Sequence, residues 1–205
     1  MEFNRLLSSA ISAYGEPELE SNKIETQNLE KQQTVKNKNY YLINSLDEID
    51  KWIEEAVEVG EVAVDTETTS LDPHQADLVG ISLCSKVGKA CYIPVGHKSP
   101  KCLKKEAVIK KLKKILEDPS IKKIGQNIKF DFIVFYKNGI TLSSMEDTML
   151  MSYVLDAGKN RHNMDILSEI HLGHKTISLN LIVSCSRWIC ESISILCLFF
   201  PASRT

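Results

Sequence analysis

The stretch Val62-Ala63-Val64-Asp65-Thr66-Glu67 has the pattern of a buried β-strand that ends in two acidic residues. Because successive side chains of a strand point to opposite faces, Asp65 and Glu67 share one face and Thr66 lies on the other. Two carboxylates on one face of a buried strand are costly unless something neutralises them. Mg²⁺ and Mn²⁺ prefer oxygen ligands, so the pattern indicates either a divalent-metal site or a solvated strand end.

A second acidic segment follows another short apolar strand, and it reads Ile124-Gly125-Gln126-Asn127-Ile128-Lys129-Phe130-Asp131. Together with residues 65–71, it resembles the first two motifs of the DEDD-type 3′–5′ proofreading exonucleases of the RNase H-like superfamily. The resemblance is strongest to the exonuclease domain of bacterial DNA polymerase I. It continues in order to residue 177, through matching stretches at residues 78–83, 92–97, 147–150, 161–165 and 174–177.

Local patterns predict a mixed α/β order of elements. Ser45 and Glu48 form a capping-box pattern at a helix start, and Asp118-Pro119 ends a lysine-rich helix. Helices are predicted over residues 45–59, 104–114, 127–137, 147–155 and 164–172, and strands over residues 40–43, 61–65, 78–84, 90–95 and 121–124. The resemblance implies the matching fold class, an RNase H-like mixed central sheet with helices on its faces, incomplete at the C-terminus.

The resemblance also implies roles for individual residues. Asp65 would bridge two Mg²⁺ or Mn²⁺ ions about 4 Å apart, Glu67 would hold one and help orient the attacking water, and Asp131 would serve the other. Its substrate would be the 3′ end of single-stranded DNA. The implied substrate-binding residues are Thr66, Leu71, Gln126, Asn127, Lys129 and Phe130. For Leu71, Asn127 and Phe130, core packing or helix capping is the alternative role.

A third motif of that family, Tyr-x-x-x-Asp on a late helix, has no counterpart here. The run Tyr153-Val154-Leu155-Asp156-Ala157 has different spacing, and residues 178–205 contain neither tyrosine nor aspartate. The missing residues would orient water and complete a metal site, so the sequence predicts severely impaired two-metal hydrolysis. The alternative is a catalytically inactive remnant of DNA polymerase I that at most binds nucleic acid. A separately encoded polymerase or nuclease chain is a further predicted partner.

Three segments differ in composition. Residues 1–38 are predicted to be a short helix and a disordered linker, because residues 16–38 carry almost no large apolar side chains. Residues 39–178 are predicted to be the exonuclease-like domain. Residues 179–205 match no expected element and indicate an aberrant tail outside the family, such as a frameshift product. A membrane anchor is the alternative, but residues 188–200 are short for a span.

Charge is unevenly distributed along the chain. The formal net charge of −2 gives no global signal for nucleic acid. Lysines are concentrated between residues 98 and 137, where they could receive a phosphate backbone in a salt-sensitive contact. A solvated helix face is the alternative at residues 104–114, because apolar side chains recur there at helical spacing. We expect that solvated face, with Lys129 as the better candidate for substrate contact.

The cysteines and the amino terminus indicate the cellular compartment in which the chain is expected. The six cysteines form no disulfide framework, and Cys84 and Cys91 are predicted to be small core residues on adjacent strands. The amino terminus shows no basic-then-apolar leader. These features predict a cytoplasmic chain with no membrane partner.

Overall fold

Six strands form one mixed sheet in the part of the chain that the computed structural model describes, which is residues 39–97, 102–158 and 161–173 together with Ser12. The strands are β1 Asn39–Leu42, β2 Glu61–Thr68, β3 Leu78–Lys86, β4 Lys89–Pro94, β5 Lys122–Gly125 and β6 Met145–Asp147. Their order is β1-β4-β3-β2-β5-β6. The β2–β3 and β3–β4 pairs are antiparallel, whereas β1–β4, β2–β5 and β5–β6 are parallel.

Five helices connect these strands within the described residues. They are α1 Leu46–Val59, α2 Lys105–Leu116, α3 Ile128–Lys137, α4 Thr148–Leu155 and α5 Met164–Leu172. The predicted mixed α/β class is confirmed, and most predicted helices are shifted by only one or two residues. The predicted helix and linker at residues 1–38 and the predicted tail at residues 179–205 lie outside the described residues. No helix in the described ranges is long and apolar enough to cross a membrane.

Two local predictions need correction. Strand β6 was not predicted, because a strand of three residues is too short to show an alternating pattern. The capping box at α1 is only half formed: the Ser45 hydroxyl accepts a hydrogen bond from Glu48 N–H. Its reciprocal bond is displaced by one residue, since Glu48 Oε2 accepts from Asn44 N–H at 3.1 Å.

The sheet separates two apolar clusters. The larger one contains Val62 and Val64 of β2, together with the inner faces of α1, α2 and α3. Alternation places Ala63 on the other face, in a smaller cluster against which Met164 of α5 packs. Cys84 and Cys91 are buried on adjacent strands, as predicted. The same alternation places Asp65 and Glu67 on the face of the smaller cluster.

The lysine-rich helix α2 has the solvated face that the sequence predicts. Its inward positions, Val108, Leu112, Ile115 and Leu116, are buried. On the outer side, Lys111 pairs with Asp50 of α1 at 2.5 Å, and Lys113 donates to the Gly139 carbonyl at 2.8 Å. These lysines therefore hold neighbouring elements of the domain.

The side chain of Tyr92 on β4 packs directly against Gly80 of β3. A Cβ atom at position 80 would overlap the Tyr92 hydroxyl and ring, so no other residue fits there without moving the tyrosine. The hydroxyl lies 2.5 Å from His97 Nε2, and the two rings meet edge to face. Gly80 stands opposite Glu67 in the β2–β3 register, so this packing borders the carboxylate end of β2.

Lys123 of β5 is fully buried. Its ammonium donates to the carbonyls of Asp118 and Ile121 at 2.6 Å each, and it reaches Ser143 Oγ at 3.3 Å. Burial lowers the pKa of this lysine to about 8, although the Asp118 charge acts in the opposite direction. One side chain thus ties the end of α2 and the loop before β6 to the sheet.

We expect Lys123→Met to lower the free energy of unfolding by about 2–4 kcal/mol, because methionine fills the space but leaves buried carbonyls without a donor. Urea denaturation measures the change. Lys122→Met is the matched control. Its side chain is 40% exposed and pairs with Glu146 at 3.0 Å, so the substitution should cost less than about 1 kcal/mol. Equal losses in the two variants would contradict the structural role of Lys123.

Candidate active site

Strand β2 extends beyond its neighbour β5. The two strands pair only from Glu61 to Ala63, and β2 then continues to Thr68 with that edge open. Asp131 of α3 occupies the opening: its Oδ1 accepts hydrogen bonds from Thr66 N–H at 2.9 Å and from the Thr66 hydroxyl at 2.6 Å. A carboxylate from a helix therefore replaces the missing strand partner, at the residue between Asp65 and Glu67.

The turn between β5 and α3 determines where Asp131 lies. A Cβ atom at Gly125 would come within 2.8 Å of the Ile128 side chain, so the turn is tightly packed. Asn127 precedes the helix in the left-handed conformation, with φ 57° and ψ 44°, which asparagine tolerates better than most residues. Asp131 then falls in the first turn of α3, as predicted, and only 2% of its surface is exposed.

Burial shifts the pKa values of all three carboxyl groups at this site upward. Burial raises the pKa of Asp65 to about 6, against a backbone hydrogen bond from Thr66. Burial and then the Asp65 charge raise the pKa of Glu67 to about 7. The same two causes raise the pKa of Asp131 well above its usual range, although its hydrogen bonds from Thr66 oppose them.

The site concentrates negative charge without a matching positive side chain. No ion pair between residues of the described ranges involves Asp65, Glu67 or Asp131. Oxygen donors of this kind suit Mg²⁺ or Mn²⁺. Among the described residues, however, no group of three or more His, Cys, Asp and Glu side chains already stands as a metal cage. The donor chemistry fits a divalent cation, and the assignment of these residues as ligands stays a prediction.

Ser82 adds an unexplained polar atom beside the carboxylates. It stands opposite Asp65 in the β2–β3 register, and therefore on the same face of the sheet. Its hydroxyl is buried and has no hydrogen-bond partner within the described part of the chain. A polar residue in the buried strand of residues 78–83 was the sequence signal that could have identified this position.

The residues predicted to bind substrate differ in accessibility. Leu71 follows β2 and is 97% exposed, and Asn127 and Lys129 are also exposed. Phe130 is half-buried and packs against the larger cluster. Three of these side chains are therefore open to a ligand near the carboxylate end of the sheet.

The other two predicted substrate-binding residues are engaged within the domain. Thr66 is buried and bonded to Asp131 through both its N–H and its hydroxyl. The Gln126 side-chain amide donates to the His162 carbonyl at 2.8 Å, and its oxygen accepts from the Thr148 hydroxyl. A substrate contact by Gln126 stays a prediction, and it would compete with these internal bonds.

Asp147 caps α4 and also contacts the start of α3. Its carboxylate accepts from Met149 N–H of α4 at 2.9 Å. It also accepts from Asn127 N–H and Ile128 N–H, each at 3.0 Å, where α3 begins. Sequence reasoning could not find this second contact, because the bonded residues are about twenty positions apart and no local pattern joins them.

Solved structures identify the class to which this fold belongs. Brucella melitensis NrnC bound to pGG matches with a TM-score of 0.59 and 23% identity, over 80% of this chain and 76% of that chain. The Trypanosoma brucei RNase D complex with RNA U12 matches with a TM-score of 0.65 and 13% identity, over 80% of this chain and 62% of that chain. Likeness at these identities shows the fold alone, which is the RNase H-like fold of these nucleases.

Sequence comparison defines the family within that class. The model of the 3′–5′ exonuclease family matches residues 40–197, and the chain belongs to this family, as its motifs predicted. DNA polymerase I of Rhizobium leguminosarum is 42% identical over 159 residues, which is 67% of this chain and 16% of that protein. DNA polymerase I of Pseudomonas aeruginosa is 44% identical over 135 residues, which is 62% of this chain and 15% of that protein. The chain therefore spans about a sixth of the length of these curated relatives.

The raised carboxyl pKa values predict how stability depends on pH in the absence of metal. Glu67 binds a proton more tightly in the folded state than in the unfolded state, so its contribution is present below its ordinary pKa, near 4.5, and is lost as pH rises through about 7. We expect the free energy of unfolding to rise by on the order of 2 kcal/mol between pH 8 and pH 5, measured by urea denaturation with chelator.

Glu67→Gln removes one titrating group and should reduce this pH dependence, leaving the part that comes from Asp65 and Asp131. Glu54→Gln, on the exposed face of α1, is the control and should leave it unchanged. Stability that increases with pH over the same interval, with Glu67 intact, would show that the carboxyl is not desolvated as the structure indicates.

Proposed function

We propose that this chain is a 3′–5′ exonuclease domain that hydrolyses 3′ ends of single-stranded DNA with Mg²⁺ or Mn²⁺, at a low rate. The observation that carries the proposal is the contact between Asp131 and Thr66. It brings a helix carboxylate to the end of the strand that bears Asp65 and Glu67, where burial has raised the pKa of all three. Membership of the 3′–5′ exonuclease family supports the same reaction.

The three carboxylates have separate roles in this proposal. When bound, two divalent cations neutralise phosphate charge and activate water. Asp65 lies between the other two electrostatically, since its charge raises the pKa of both Glu67 and Asp131, and it would hold both ions. Glu67 would hold one ion and orient the attacking water, and Asp131 would hold the other. Raised pKa values mean that cations and protons compete for these groups.

Exposed residues beside the carboxylates would receive the DNA strand. Leu71 presents an apolar side chain to solvent, where it can wedge against a terminal base. The Lys129 ammonium is exposed in the first turn of α3, two residues before Asp131, and would attract a phosphate. Asn127 and the partly exposed Phe130 would complete this surface. DNA is preferred over RNA as the substrate because the relatives at 42–44% identity are DNA polymerases.

The missing third motif sets the expected rate. Without Tyr-x-x-x-Asp, one ion would lack an anionic ligand and the attacking water would lack an orienting hydroxyl. The second candidate function is therefore a nucleic-acid-binding domain without turnover. The absence of the third motif from the sequence favours it. A separately encoded polymerase or nuclease chain would be the partner that supplies the missing groups.

We expect the purified chain with Mn²⁺ to release 3′ mononucleotides slowly from 3′-labelled single-stranded DNA, and Asp65→Ala to abolish the release. The physical reason is that alanine removes the carboxylate shared by both proposed ion positions. Release that persists in Asp65→Ala would indicate another site or a contaminating nuclease. Binding of DNA without any release would favour the second candidate function, and rapid release would show that the third motif is dispensable.

We expect Leu71→Ala to weaken binding of single-stranded DNA by about 2–5-fold without changing the thermal midpoint, because a fully exposed side chain contributes little to folding but offers a base a surface to pack on. Fluorescence anisotropy with a labelled oligonucleotide measures the affinity. Val57→Ala is the matched control, since that side chain is 59% exposed on α1. The same loss in both variants would argue against a specific role of Leu71.

A further inference from the structure

The Asp147 carboxylate joins the starts of two helices. It is only 8% exposed, and its Oδ1 accepts from Met149 N–H at 2.9 Å and from Asn127 N–H at 3.0 Å. Its Oδ2 accepts from Ile128 N–H at 3.0 Å. One side chain thus satisfies backbone donors at the N-termini of both α3 and α4, where helices leave such donors unpaired.

Helix α3 depends on this external carboxylate because its own cap is unusual. A typical N-cap residue is extended and accepts a bond from the helix with its side chain. Asn127 is left-handed instead, and its side chain makes no capping bond. The β5–β6 register sets Asp147 beside Gly125, directly before this turn. The sheet therefore delivers to α3 the acceptor that Asn127 does not provide.

The hydrogen bond between Asp147 and Ile128 lies one helical turn from Asp131 of the candidate site. Ile128, whose N–H is bonded to Asp147, is the first residue of α3, and Asp131 follows three residues later. Residues three apart on a helix lie on the same side. A shift of the helix start is therefore passed directly to the Asp131 carboxylate and to its bonds with Thr66.

We propose that Asp147 is a positioning residue for Asp131, acting through the start of α3 and not by contact with substrate or metal. Its relevance to catalysis rests on the proposed function, because only then does the position of Asp131 control metal binding. Residues behind a ligand that fix its orientation commonly change metal affinity by 10–100-fold.

Asp147→Ser separates the two capping roles. Serine is a good N-cap and can still serve α4, but its single short hydroxyl cannot span both helices. Amide hydrogen exchange in the metal-free chain measures the result at Thr66, whose N–H donates to Asp131. We expect Thr66 exchange to accelerate at least about 10-fold more than exchange in β3 and β4, and the Mn²⁺ dissociation constant to rise about 10-fold.

Two further variants calibrate the measurement. Ser45→Ala removes the N-cap of α1, away from Asp131, and shows what the loss of an ordinary helix cap does to Thr66 exchange. Asp131→Asn shows the exchange expected when the contact itself is weakened. Asp147→Asn is a second test, because its amide nitrogen would face a backbone N–H while the size of the side chain is kept.

The outcomes separate the positioning role from the proposed function. If Thr66 in Asp147→Ser and Asp147→Asn exchanges no faster than in Ser45→Ala, Asp147 is only a cap and the inference is overturned. Selective acceleration at Thr66 together with weaker Mn²⁺ binding supports it in full. Selective acceleration in a protein whose unmodified form binds no Mn²⁺ upholds the positioning of Asp131 and counts against the proposed function instead.

Discussion

The open edge of β2 beyond Ala63 is the constraint on which the candidate site depends. A buried backbone N–H without an acceptor costs about 1–3 kcal/mol, and β5 ends too early to supply an acceptor for Thr66. Asp131 supplies it from α3. Because the acceptor is a carboxylate, the bond that completes the strand also brings a third negative charge to its acidic end. Folding and the proposed chemistry therefore use the same contact, and neither can change without the other.

Neighbouring elements hold the contact between Asp131 and Thr66 in place. Strand β6 pairs with β5 and carries Asp147 to the beginning of α3. Lys123 in turn holds the loop before β6 through Ser143 and holds the end of α2 through backbone carbonyls. Asp147 and Lys123 are thus buried charged groups that are satisfied by hydrogen bonds. By contrast, the carboxyl groups of Asp65, Glu67 and Asp131 have raised pKa values and lack a cationic partner among the described residues, which is typical of groups kept for a ligand.

The parts of the fold that depend on local pattern could be predicted from the sequence. The helix at Met164–Leu172 has the predicted bounds, and the strands predicted at residues 78–84 and 90–95 correspond to β3 and β4. The fold class and the candidate carboxylates were predicted from two sequence motifs. The structure places Asp65 and Glu67 on a strand and Asp131 in the first turn of a helix, as those motifs implied. These features are encoded within about ten residues each.

Contacts between distant residues escaped prediction. Thr66 and Asp131 are 65 residues apart in sequence and share no periodic signal, so their bond is visible only in the structure. Lys123 lies in a lysine-rich region, and no local pattern distinguishes this buried lysine from the exposed lysines around it. The dual contact of Asp147 depends on β6, a strand of three residues that no pattern indicates. In each case tertiary packing gives a polar residue a role that its neighbours in sequence do not reveal.

The packing of Tyr92 against Gly80 constrains which residues positions 80 and 92 can carry at the same time. Even an alanine at position 80 would overlap the Tyr92 hydroxyl, so a lineage that keeps tyrosine at 92 must keep glycine at 80. A smaller residue at 92 would free position 80, but it would also remove the hydroxyl that meets His97. Position 80 should therefore vary only where position 92 has lost its tyrosine. Invariance of Gly80 among relatives would then record steric exclusion by a neighbouring strand, even if the glycine never meets a substrate.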